Sequence, residues 1–165
     1  MHQEFRQLRY VVRWLTPPVA RHPRAAQRAL AADMRASLGA GWGLLSHSHS
    51  RGAVAVAAGN PPLTRLGVDL EYIDPKRPWR DIAAIYVPNG ATAGEADASA
   101  VCRAWTFGEA YFKAFGAAPG PDILSRVFEA PPQDDEPACF ASRRYWYSER
   151  LPDDFWLSLV WEEEI

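Results

Sequence analysis

The sequence predicts an α+β fold made of two halves with one plan, and three observations carry that expectation. Apolar and polar residues alternate with period two over 8–14, 66–73 and 154–161, which reads as strands. Apolar residues recur at helical spacing over 24–38 and 100–115, which reads as two long helices. The order strand, helix, strand, strand then stands on both sides of Asn60-Pro61-Pro62. The halves share no visible sequence identity, so the repeat is one of element order alone. On this reading residues 1–62 form a first lobe and 63–165 a second, within one compact unit.

In the first strand Leu8, Tyr10, Val12 and Trp14 alternate with Arg9, Val11 and Arg13, and Pro17-Pro18 ends it. The helix over 24–38 puts Ala26, Leu30, Met34 and Leu38 on one stripe and stops at Gly39. Strands at 42–48 and 52–58 follow, joined by a tight turn at Ser50-Arg51-Gly52. From Ala53 to Ala58 every residue is small and apolar, so this strand is expected to be buried and central. Beyond the Asn60-Pro61-Pro62 joint the reading gives strand 66–73, helix 79–86, a loop at 88–98 and helix 100–115. Strands are expected near 125–130, 142–149 and 154–161. In the last of these Phe155, Leu157, Leu159 and Trp161 alternate with Trp156, Ser158 and Val160.

A chain of 165 residues, 48% hydrophobic and with seven Trp, can bury a substantial core. The formal net charge of −2 gives no reason to expect a nucleic-acid partner. Basic residues do gather in the first 30 positions, which suits an acidic partner or a phosphate-bearing ligand. Cys102 and Cys139 make no C-x-x-C pair, so neither a structural zinc nor a disulfide framework is expected. No apolar run approaches the roughly 18 residues that span a bilayer, and the N-terminus lacks a signal-peptide core. The expectation is a cytoplasmic protein with no membrane partner.

The chemistry gathers in residues 66–116. Val68, Leu70 and Tyr72 alternate with Asp69, Glu71 and Ile73, so Asp69 and Glu71 project from the same side of one strand. Two like charges held so close repel, and a cation between them relieves the repulsion. On the helix, Val101, Trp105, Gly108, Phe112 and Phe115 form an apolar stripe. Glu109 and Lys113, four apart, share a neighbouring polar face with Cys102 and Thr106. A third carboxylate and an ammonium would complete a site for Mg²⁺ and a phosphate. Each pair alone is commonplace, one as a solvated strand face and the other as a helix ion pair; the full string is far more specific.

Gly67-Val68-Asp69-Leu70-Glu71, followed by Trp105-Thr106-Phe107-Gly108-Glu109-Ala110-Tyr111-Phe112-Lys113-Ala114-Phe115-Gly116, resembles the paired signature of the 4′-phosphopantetheinyl transferases. Asp81 to Pro88 resembles the short helix and proline that the family places between them. Ser48-His49-Ser50-Arg51-Gly52 is similar to the family's S-H-S-x-G turn between strands. The resemblance covers about 44–116. With 66 residues ahead of Gly67, it points to the two-lobed, surfactin-synthetase-activator-like type with a short first lobe. It implies a pseudo-two-fold monomer, each lobe a small antiparallel sheet packed with a long helix, and coenzyme A bound between the lobes.

The implied reaction moves the phosphopantetheine arm of coenzyme A to a serine of an apo acyl or peptidyl carrier protein. Asp69, Glu71 and Glu109 would hold Mg²⁺, Glu109 would take the serine proton, and Lys113 would sit against phosphate oxygens. His49 would meet the 3′-phosphate region, with Ser50 and Arg51 at the turn offering donors. Arg24, with Arg21 and Arg28 nearby, would give a fork of donors to the same phosphate. The family usually has Lys where this chain has Gly108, and the neighbouring aromatic stripe makes close packing the expected reason. Two rival readings are a metal-dependent phosphoesterase using the H-x-H of His47 and His49, and a carrier-protein-binding relic without catalysis.

Overall fold

The computed structural model of the chain describes residues 2–5, 7–15, 24–87, 97–129 and 136–164. The elements are β1 (His2–Phe5), β2 (Leu8–Trp14), α1 (Arg24–Leu38), β3 (Leu44–Ser50), β4 (Ala53–Gly59), β5 (Leu63–Tyr72) and α2 (Trp79–Tyr86). They continue with α3 (Ala98–Phe115), α4 (Pro121–Glu129), β6 (Ala138–Ala141), β7 (Arg144–Leu151) and β8 (Phe155–Glu163). Pro17-Pro18, Arg21 and most of the expected 88–98 loop lie outside the described residues.

Among the described residues all strand pairings are antiparallel and make two four-stranded sheets, in the orders β1-β2-β4-β3 and β5-β8-β7-β6. The repeat of plan is therefore topological. In one half β2, α1, β3 and β4 follow one another and lie in the order β2-β4-β3. In the other β5, α3, β7 and β8 lie in the order β5-β8-β7. The last strand of each unit inserts beside the first. Short edge strands, β1 and β6, extend both sheets where no strand was expected.

Alternation along the central strands builds the layers. Ala53, Ala55 and Ala57 of β4 join Leu8, Tyr10 and Val12 of β2 in a cluster shared with Leu66, Val68 and Leu70 of β5 and with Leu157 and Leu159 of β8. The other face of β4, Val54, Val56 and Ala58, packs with Ala31, Met34 and Leu38 of α1. On the far side of the second sheet, Trp146 and Val160 meet Phe107, Ala110 and Tyr111 of α3. The layers run α1, first sheet, second sheet, α3. Removing the shared apolar surface from water is what joins the halves.

Several expectations are corrected. The expected strand at 125–130 is helix α4: Ile123, Leu124 and Val127 pack at helical spacing on the α3 cluster. Pro121 opens this helix and Asp122 in the first turn suits its dipole. On α1, Gln27 rather than Ala26 begins the buried stripe, because its Nε2 donates to the Arg51 carbonyl at 2.6 Å. On α3 the apolar stripe is misassigned. Phe112 is 53% exposed, while Cys102 and Thr106, expected on the polar face, are fully buried. Thr106 Oγ1 lies 2.8 Å from Ser158 Oγ on β8, so this hydroxyl is satisfied inside the core.

Candidate active site

Strands β3 and β5 run side by side at the junction of the two sheets, and seryl hydroxyls bridge them. Ser46, Ser48 and Ser50 alternate along β3 and so share one face. Ser46 Oγ accepts from Val68 N at 3.0 Å, and Ser50 Oγ from Tyr72 N at 3.2 Å. Ser48 Oγ donates to Asp69 Oδ1 at 2.7 Å, and Ser50 Oγ to Glu71 Oε2 at 2.9 Å. The serines of the S-H-S stretch thus orient both carboxylates of the D-x-E strand.

Helix α3 closes on β5 over Gly67. A Cβ there would lie 2.0 Å from the Ala110 carbonyl oxygen, so only glycine permits the approach. That approach brings Lys113 across: its Nζ is 2.9 Å from Asp69 Oδ1 and donates to the Val68 carbonyl at 2.9 Å. Asp69 is only 4% exposed, and its second oxygen, Oδ2, is buried without a hydrogen-bond partner. Glu71 is pressed harder. Burial, and then the Asp69 charge, push its carboxyl up to about 7, although Arg77 and Ser50 pull the other way.

Two residues at this site escaped the sequence reading. Arg77 Nη2 donates to Glu71 Oε2 at 2.9 Å and its guanidinium lies over the Trp105 ring at 4.4 Å. Tyr86, the last residue of α2, donates to Glu109 Oε1 at 3.1 Å. Burial, and then the Glu109 charge, push the Tyr86 phenol up to about 12, which keeps it a donor at neutral pH. No motif links 77 to 71 or 86 to 109. The one available signal was Gly108, a gap in a helix surface that some neighbour had to fill.

The other expected site residues are dispersed or already engaged. His47 and His49 share the face of β3 opposite the serines, and both are exposed. Partial burial, then the charges of Arg35, Lys113 and His49, push His47 down. Arg51 Nη2 pairs with Asp74 Oδ2 at 2.7 Å and its guanidinium covers the Tyr72 ring at 3.8 Å. Arg24 is exposed at the start of α1. Asp69 and Glu71 come together as expected, but among the described residues no three His, Cys, Asp or Glu side chains group closely enough to hold a metal. Tyr86 holds one oxygen of Glu109, the third expected ligand. Among the described residues the H-x-H likewise finds no third ligand.

A cavity of about 990 Å³ opens elsewhere, lined by Phe5, Leu63, Tyr145 and Trp161 among others; it contains none of the motif residues. Among the described residues no helix is long and apolar enough to cross a membrane. No protein-family model matches the chain, and no curated protein matches it.

Proposed function

We propose that this protein transfers the 4′-phosphopantetheine arm of coenzyme A to a serine of an apo acyl or peptidyl carrier protein, as a Mg²⁺-dependent monomeric enzyme of the cytoplasm. One observation carries the reading. The S-H-S strand, the D-x-E strand and the E-x-x-x-K helix, distant in sequence, meet at Asp69, which Ser48 and Lys113 both contact within 2.9 Å.

The donor set suits a hard divalent cation in part. Asp69 Oδ2 is a buried oxygen lacking a partner, and Glu71 is crowded by a like charge, so these two would hold Mg²⁺. Bound there, the ion would offset the charge of the pyrophosphate. Glu109 is assigned to the proton instead. The serine oxygen attacks the phosphorus that carries the pantetheine arm, and its proton passes to the other oxygen of Glu109, Oε2. As the new P–O bond forms, the P–O bond to the nucleotide breaks, and 3′,5′-ADP leaves with the electron pair. Lys113 offers its ammonium to the charge that develops on the phosphate oxygens. His49 and Arg24, both exposed, are the side chains assigned to the 3′-phosphate of coenzyme A. Ser50 and Arg51 serve here as frame, through Glu71 and Asp74.

The test is mass spectrometry of an apo carrier protein incubated with this protein, coenzyme A and Mg²⁺. The expected result is a carrier heavier by one phosphopantetheine. An unmodified carrier that nevertheless binds the protein would favour the non-catalytic relic.

A further inference from the structure

Glu109 follows a glycine on α3, and the space beside that glycine is filled from another helix. A Cβ on Gly108 would lie 2.3 Å from Tyr86 Cε1 and 2.8 Å from Cδ1. The ring of Tyr86 therefore sits in a notch that Gly108 alone leaves open. Seated there, its hydroxyl reaches Glu109 Oε1 at 3.1 Å. At the other end of α2, Trp79 packs edge-on against Trp105 of α3, with ring centroids 6.2 Å apart. Helix α2 is thus fastened to α3 at both ends, and Ala83 between them is buried. A half-exposed glutamate on a helix ordinarily samples several rotamers; this one is held by a rigid donor on a fastened helix.

From this geometry we propose that Tyr86 is a positioning residue for Glu109, holding one carboxylate oxygen so that the other faces the attacking hydroxyl. The proposal rests on the transfer reaction set out above. It gives Gly108 a chemical consequence as well as a packing one, since any side chain at 108 would displace the ring that orients its neighbour.

Tyr86→Phe keeps the ring in the notch and removes only the hydroxyl. It should melt close to the wild type, yet lower kcat for carrier modification about tenfold, the worth of one hydrogen bond to a charged group. KM for coenzyme A should not change, which separates this role from a structural one. A Tyr86→Phe enzyme with full kcat would overturn the proposal. The contact is also read without catalysis, by urea unfolding of the wild type, Tyr86→Phe, Glu109→Gln and the double variant. The two changes are expected to be non-additive by about fivefold in the unfolding constant; additive effects would overturn the proposal whatever the assay shows. A wild type that transfers nothing defeats the transferase reading alone, and Tyr86 is then judged by the unfolding cycle.

Discussion

At the scale of single residues, the site is a contest among charges for too few partners. Lys113 takes Asp69 Oδ1, Arg77 takes Glu71 Oε2, and Asp69 Oδ2 is left over. A divalent cation at Asp69 must tolerate or displace the ammonium 2.9 Å away. On the proposed transfer reaction, Lys113→Ala should therefore bind Mg²⁺ more tightly while transferring roughly a hundredfold more slowly, the cost of losing the charge assigned there to the developing phosphate charge. Titration calorimetry and a rate assay on the one variant check both halves; weaker Mg²⁺ binding would mean that Lys113 supports the ion. Glu71 makes a separate prediction about pH. Its carboxyl is held at about 7 against an ordinary 4.5, so the folded protein binds this proton more tightly than the unfolded chain does. The contribution of this one proton to stability is then fully present below about 4.5 and is lost as pH rises through about 7. In metal-free protein, Glu71→Gln should be more stable than the wild type above pH 7 and no different below 4.5. Thermal melts across that range measure it, and a gain confined to acid would reverse the sign.

At the scale of elements, two glycines set how closely helices approach the site. Gly67 lets α3 descend onto β5, and Gly108 lets the Tyr86 ring of α2 lie against α3. Lysine at 108 would gain about 1 kcal/mol of helix propensity over glycine. Overpacking a filled position costs about 1–3 kcal/mol, and the Cβ would start 2.3 Å from a ring carbon. The clash should win, so Gly108→Lys is expected to lower the melting midpoint. Made in a Tyr86→Ala background, the same change should raise it, because the notch is then empty and propensity alone remains. A Gly108→Lys variant more stable than the wild type would show that Tyr86 moves aside at little cost. The bounds of α1 and α2 coincide with the spans expected for them, about 24–38 from apolar spacing and 79–86 from the repeated plan and the resemblance. The buried face of α3 was illegible because that helix packs on β5, β8, α2 and α4 together, leaving no single apolar stripe.

For the whole molecule, the two sheets share one apolar cluster, and Tyr10 of β2 donates to Glu149 of β7 across the junction. Residues 1–62 expressed alone should therefore fail to fold, since Leu8, Tyr10, Val12 and the alanines of β4 would face water. Circular dichroism and amide-exchange spectra of that fragment would show it, and a cooperative unfolding transition would count against a shared core. The α+β class and the like plan of the two halves were legible in the amino-acid order, as was the common side of Asp69 and Glu71. Each follows from a local period, and a local period sets which way successive side chains point. Tertiary structure alone decided which partners those side chains meet. Lys113 reaches Asp69 from 44 residues away, the serines of β3 orient carboxylates on β5, and Tyr86 fills the notch at Gly108. The valine and phenylalanine near 127 became helix because Val127 had the α3 cluster to pack against. Such pairings depend on how closely whole elements approach, and that is set by packing between segments far apart in the chain, which no local period records.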